Sequence, residues 1–128
     1  MADKAARIEP DAALPESLDE IRRVAGTTAM LALVESWGGT VVHIPQKYTP
    51  DHPLVAIVGH RAAVDLIRYY DGQRVYLARA CAAARAARDA EIRRRHSGGT
   101  AVRDLALEYH LSERQIWNIL AAGSASAD

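Results

Sequence analysis

The chain has no phenylalanine and only one cysteine, Cys81, in 128 residues. One thiol excludes an internal disulfide, which fits a reducing cytoplasm. No apolar run reaches bilayer-spanning length, and the first residues lack the apolar stretch of a secretion signal. The expectation is a cytoplasmic protein with no membrane partner. Net charge is also missing, with 16 Lys plus Arg against 16 Asp plus Glu. Without Phe the core must be aliphatic, with Trp37, Tyr69, Tyr70, Tyr76, Tyr109 and Trp117 as its bulky pieces. So Ala-rich a chain of this size has little apolar area to bury, and association would help it.

Signs of catalysis are equally sparse. The five histidines are His43, His52, His60, His96 and His110. None falls at ligand spacing with another His, a Cys or a carboxylate on a shared face. Cys81 lies in an Ala-rich helix without candidate His and Asn partners, so a nucleophile role has little support. Gly38-Gly39 and Gly98-Gly99 open no GK[ST] motif and read as hinge and helix stop. The expectation is therefore a protein that is not an enzyme and has no cofactor and no metal.

What is present is concentrated near the end of the chain, in TAVRDLALEYHLSERQIWNILA (residues 100–121). Val102, Leu105, Ala106 and Tyr109 recur at helical spacing. His110-Leu111-Ser112 breaks the period, and the Ser112 hydroxyl can cap a second helix. Ile116, Ile119 and Leu120 give that helix its own apolar face. Two helices this short bury little unless they cross, with the small Ala106 at the crossing and Leu111 as a plug in the corner. Facing outward are Ser112, Glu113, Arg114, Gln115, Trp117 and Asn118. In a helix-turn-helix those positions meet base edges in the major groove, and Arg, Gln and Asn are side chains that pair with guanine or adenine. The plainer alternative is a helical hairpin that closes a small bundle.

Charge distribution points the same way. Residues 1–60 carry 5 basic and 8 acidic side chains, and residues 61–128 carry 11 and 8. Seven Arg stand between Arg74 and Arg95 against only Asp89 and Glu91. A basic stripe beside a reading helix is what phosphate contacts require. Arg93, Arg94, Arg95, Thr100 and Arg103 are the candidate phosphate ligands. The Arg93-Arg94-Arg95 run could equally be a solvated face.

Earlier in the chain, residues 1–14 show no period and read as a disordered tail. Pro15-Glu16-Ser17 starts a helix that Gly26 ends, and Thr27 to Trp37 reads as a second. Thr40 to Ile44 is β-branched and short, hence a strand. This unit recurs: a shift of 33 residues lays Ile21–Pro45 on Leu54–Ala78 without a gap. Gly26 meets Gly59, Ala29 meets Ala62, Leu33 meets Leu66, Gly39 meets Gly72 and Val42 meets Val75. The alignment of glycines and apolar positions in one frame suggests a tandem helix–helix–strand repeat. Its strands, Thr40–Ile44 and Arg74–Leu77, would pair with each other or across two chains. YTPDHP (residues 48–53) links the copies. Ala80 to His96 is an Arg-rich helix stopped by Ser97-Gly98-Gly99, and residues 123–128 read as a second disordered tail.

GGTVVHIP (residues 38–45), DGQRVYLA (residues 71–78), the Arg-rich helix, and LALEYHLSERQIWNIL (residues 105–120) together resemble the phage Mor/C family of transcription activators. The resemblance spans residues 27–121 and implies a homodimer, with the N-terminal helices as dimer core and each helix-turn-helix in a major groove. It implies promoter activation, contact with RNA polymerase, and a strand motif near DNA, here Gly72, Gln73, Arg74 and Tyr76. Asp71 replaces the motif's first glycine, and Leu77-Ala78 replaces its Ile-Pro ending.

The reading that follows is a mainly α fold with short β-strands. Residues 15–79 form the duplicated dimerisation region, and residues 80–122 form a three-helix DNA-binding domain. The function is sequence-specific binding of double-stranded DNA by a Mor-like transcription activator. Ser112, Glu113, Arg114, Gln115 and Asn118 are the candidate base readers. Alternatives are a DNA-binding adaptor or repressor without polymerase contact, terminase-like or accessory to recombination, and a helical protein-interaction module.

Overall fold

The computed structural model describes residues 14–127. The tail expected over residues 1–14 lies outside them except for Leu14. The described chain runs α1 (Glu16–Ala25), α2 (Thr27–Trp37), β1 (Val41–His43), α3 (Pro53–Val58), α4 (His60–Tyr70), β2 (Arg74–Tyr76), α5 (Cys81–Ser97), α6 (Val102–Tyr109) and α7 (Glu113–Ala127). It is mainly helical, with seven helices and a two-stranded antiparallel sheet among the described residues. The chain divides into two compact units between Ala87 and Arg88. That division lies inside α5 rather than at residues 79/80, because Ala84 belongs to one core and Ile92 to another.

In the first unit, Pro15 precedes α1, and its carbonyl accepts from the Leu18 and Asp19 amides. Glu16 and Asp19 occupy the first turn and Arg22 and Arg23 the last, as the helix dipole favours. The chain then leaves one helix and starts the next within a single residue, twice. Gly26 adopts φ 98° and ψ 162°, and Gly59 φ 89° and ψ 166°. That region is essentially closed to residues with a Cβ. The break lets α1 and α2 turn their apolar sides toward each other, and likewise α3 and α4. Leu18, Ile21, Met30, Leu33, Leu54, Leu66 and Leu77 are fully buried in the shared core.

β1 and β2 pair within the chain, in the register Val41↔Tyr76, Val42↔Val75 and His43↔Arg74. Two further bonds extend the ladder at 2.9 Å, from the Ile44 amide to the Gln73 carbonyl and from the Leu77 amide to the Thr40 carbonyl. Alternation turns Val75 inward and leaves Val41, His43, Arg74 and Tyr76 exposed.

A carboxylate ties α4 to α1. The Tyr69 hydroxyl donates to Glu20 Oε2 at 2.7 Å and the Tyr70 hydroxyl to Glu20 Oε1 at 3.0 Å. These two bonds, Tyr69 first, hold the Glu20 carboxyl below its ordinary value. Burial, then the bond to Glu20, pushes the Tyr70 phenol up. A depressed carboxyl stabilises the fold above its unfolded value of 4.5 and loses that contribution as pH falls through the lower folded value. A raised phenol stabilises below 10 and loses that contribution at strongly alkaline pH.

Two outcomes follow. Gly26→Ala and Gly59→Ala should each lower stability by about 1–3 kcal/mol in urea titrations, although nothing lies within 4 Å of either added Cβ. Glu20→Gln should flatten the acid limb of the stability–pH curve below pH 4.5. Asp19, held low chiefly by its bond with Arg22, would still titrate there. An unchanged acid limb would show that the tyrosine bridge contributes nothing.

Candidate nucleic-acid interface

The second unit is built on few apolar atoms. Ile92 of α5, Leu105, Ala106 and Tyr109 of α6, and Ile116 of α7 are buried together, ringed by Val102, Leu111, Ile119 and Leu120. Ile92, Leu105 and Ile116 have no exposed surface. Ala106, the small residue expected at the crossing, is 7% exposed within this cluster. The α6–α7 corner turns on His110, whose backbone is left-handed at φ 59° and ψ 43°. Its amide and that of Leu111 both donate to the Ala106 carbonyl, the latter at 3.0 Å. This closes α6 and turns Leu111 inward.

Ser112 then starts α7 with a reciprocal pair of bonds. Its hydroxyl accepts from the Gln115 amide at 3.0 Å, and the Gln115 Oε1 accepts from the Ser112 amide at 2.8 Å. Each residue satisfies a backbone donor that the first turn would leave unpaired. Two of the five candidate base readers are thus engaged in the cap.

The others face outward. Glu113, Arg114 and Asn118 are exposed, while Ile116 between them is fully buried. Arg114 and Asn118 lie four residues apart and so share one side of the helix. Trp117 is 55% exposed. Its ring meets the His96 ring edge-on at 6.1 Å. It borders an open groove of about 720 Å³ lined also by Arg93, Leu120 and Ala121.

The candidate phosphate ligands divide. Arg95 pairs with Glu108 at 2.7 Å, donates to the Tyr109 hydroxyl at 3.3 Å and stacks over that ring at 5.7 Å. The Tyr109 hydroxyl in turn donates to Glu91 at 2.5 Å. Burial, then the Glu91 bond, pushes the Tyr109 phenol up to about 12. Arg93 Nε donates to the Ile119 carbonyl at 3.3 Å. The Arg93 side chain lies against Gly123, where a Cβ would come within 2.1 Å of Nε. That close approach occurs within α7, which continues to Ala127 beyond the stop expected at residue 123. Arg94 and Arg103 are exposed and make no ion pair among the described residues. Thr100 is half-buried, and its amide donates to the Arg95 carbonyl.

The strand motif belongs to the first unit. His43 Nε2 lies 3.1 Å from the Gly72 carbonyl, and the Gln73 carbonyl is in the ladder. The Arg74 and Tyr76 side chains face solvent. Sequence reasoning missed Gln115's half of the cap, although Ser-x-x-Gln was there to read. It also missed the Glu91–Tyr109–Arg95–Glu108 network, which joins two helices and leaves no local pattern. Among the described residues no three His, Cys, Asp or Glu gather to hold a metal ion. Nor is any helix among them long and apolar enough to cross a membrane.

Residues 50–127 match the model of the Mor transcription activator family. The matched segment takes in α3 to α7 and leaves out α1, α2 and β1. Comparison with curated proteins and with solved structures gave no match.

The capping pair makes a direct prediction. Ser112→Ala should lower the stability of the second unit by about 1 kcal/mol, read as an earlier urea midpoint at the Trp117 indole resonance. Gln115→Ala should lower it less, and the double variant should fall short of the sum because each bond supports the other. Strict additivity would mean that the two bonds are independent.

Proposed function

The chain belongs to the Mor transcription activator family, and from that membership we propose that it is a transcription activator that binds double-stranded DNA sequence-specifically. On this reading α6 and α7 are a helix-turn-helix, and the first turns of α7 enter the major groove. The observation that carries it is the split on α7. Ile116 is fully buried while Arg114 and Asn118 stand exposed on the opposite side. Arg pairs with the guanine major-groove edge and Asn with that of adenine.

Arg114 and Asn118 are the principal base readers, and Glu113 stands beside them. Ser112 and Gln115 act first by fixing the helix start. Gln115 keeps its amide NH2 group to donate, since its oxygen is in the cap. Arg94 and Arg103 hold phosphates, with Thr100 close to Arg103 in the chain. Arg93 and Arg95 shape the reading unit from within. Arg74 and Tyr76 are exposed on the sheet, and on the same reading they meet backbone or groove, as the strand motif implies. RNA polymerase is the second partner, because an activator must alter its recruitment or its opening of the promoter. Nothing in this assignment calls for catalysis or a cofactor.

The test is selection of bound duplexes from a random pool. The wild-type chain should enrich a defined motif. Arg114→Ala and Asn118→Ala should each lose preference at one base position, worth about 1–3 kcal/mol there. Arg103→Ala should weaken all sequences alike and lower the salt slope by about one. No enrichment, together with no binding at low salt, would overturn the DNA reading.

A further inference from the structure

The first unit has an internal symmetry that its register makes explicit. The sequence shift of 33 that relates residues 21–45 to residues 54–78 is also the separation of Val42 and Val75. These two residues face each other at the centre of the strand pair. On either side, Val41 meets Tyr76, and the equivalent of Val41, Arg74, meets the equivalent of Tyr76, His43. The flanking bonds obey the same exchange: Ile44 to Gln73 and Leu77 to Thr40, both at 2.9 Å.

The relation extends beyond the sheet. Gly39 and Gly72 are equivalent and both have φ 86°. The Arg79 side chain lies over Gly39, and a Cβ there would come within 2.9 Å of its Nε. Gln46, the equivalent of Arg79, lies over Gly72, where a Cβ would come within 2.7 Å of its Cγ. Among the helices, α1 packs on α4 and the equivalent pair, α3 and α2, does the same. Every one of these relations is reproduced by exchanging one copy for the other, as a twofold axis between Val42 and Val75 would do.

A second copy of a chain seated across such an axis would be a homodimer core, in which each subunit supplies the strand partner and helix face that the other needs. Here one chain supplies both. The apolar sides of all four helices are consumed inside it, with Leu18, Met30, Leu54 and Leu66 at 0–1% exposure. The family match begins at residue 50, so α1, α2 and β1 lie ahead of the matched segment.

We infer that the first helix–helix–strand copy replaces a partner subunit, so that the first unit is a single-chain twofold core and the protein is a monomer with one copy of α7. Its DNA site is then one half-site rather than an inverted repeat. That consequence rests on the DNA reading above, whereas the association state is measured without DNA and fails separately.

The experiment is sedimentation equilibrium of the full chain at micromolar concentrations, joined to a cross-link. His43→Cys with Arg74→Cys, in a Cys81→Ser background, places two thiols opposite each other in the sheet. Oxidised glutathione would join them, taking up the two electrons as it is reduced. The inference expects the 13.9 kDa monomer mass for the unmodified chain, and a disulfide within one chain that leaves the variant at monomer size on a non-reducing gel. A covalent dimer would overturn it, because the strands would then be exchanged between chains. A dimeric mass with an internal disulfide would overturn it equally, because the core would close without preventing association. If the cysteine variant does not fold, the mass of the unmodified chain decides alone.

Discussion

The second unit depends on the contact of Ile92, Leu105 and Ile116. These three aliphatic side chains come from three helices and have no exposed surface. Tyr109 supplies the ring among the buried members of this cluster, and Ala106 the small side chain between α6 and its neighbours. Burying a side chain of this size contributes about 1.5–3 kcal/mol, and few others are available here. The direction in which Arg114 and Asn118 point is set by Ile116 facing the opposite way. The surface chemistry of α7 is thus a consequence of its core, and the Ser112–Gln115 cap fixes where the helix begins.

Polar contacts refine what that core leaves undecided. Arg95 is occupied by Glu108 and Tyr109, and Arg93 by the Ile119 carbonyl and the space over Gly123. They brace α5 against α6 and α7. On the proposed reading this leaves Arg94 and Arg103 for phosphate and Arg114 and Asn118 for bases, a smaller set of contacts than the count of arginines suggests.

Much of the fold was legible because its signals are local. Gly26 ends α1, Thr27–Trp37 is the second helix to the residue, and β-branched residues mark β1. The Ser112 cap and the apolar sides of α6 and α7 followed from spacing alone. The break at His110 was legible too, and its backbone is left-handed where glycine would carry no strain. What spacing missed has a common cause. The roles of Arg93 and Arg95 depend on how far a long side chain reaches onto another helix. Gly123 reads as the start of a tail, yet α7 passes through it where Arg93 lies close. The strand partners were undecidable from sequence because β1 and β2 pair equally well within a chain or across two.

The most direct measurement is a titration of ¹⁵N-labelled protein with a duplex recovered by selection, followed through backbone and indole amide resonances. The largest shifts should fall on Glu113, Arg114, Trp117 and Asn118 at the start of α7, with smaller ones at Arg94, Thr100 and Arg103. Resonances of Ile92, Leu105 and Ile116 should move little, since the core is already formed. Shifts confined to other elements, or spread evenly over the chain, would contradict the assignment of α7 as the reading helix.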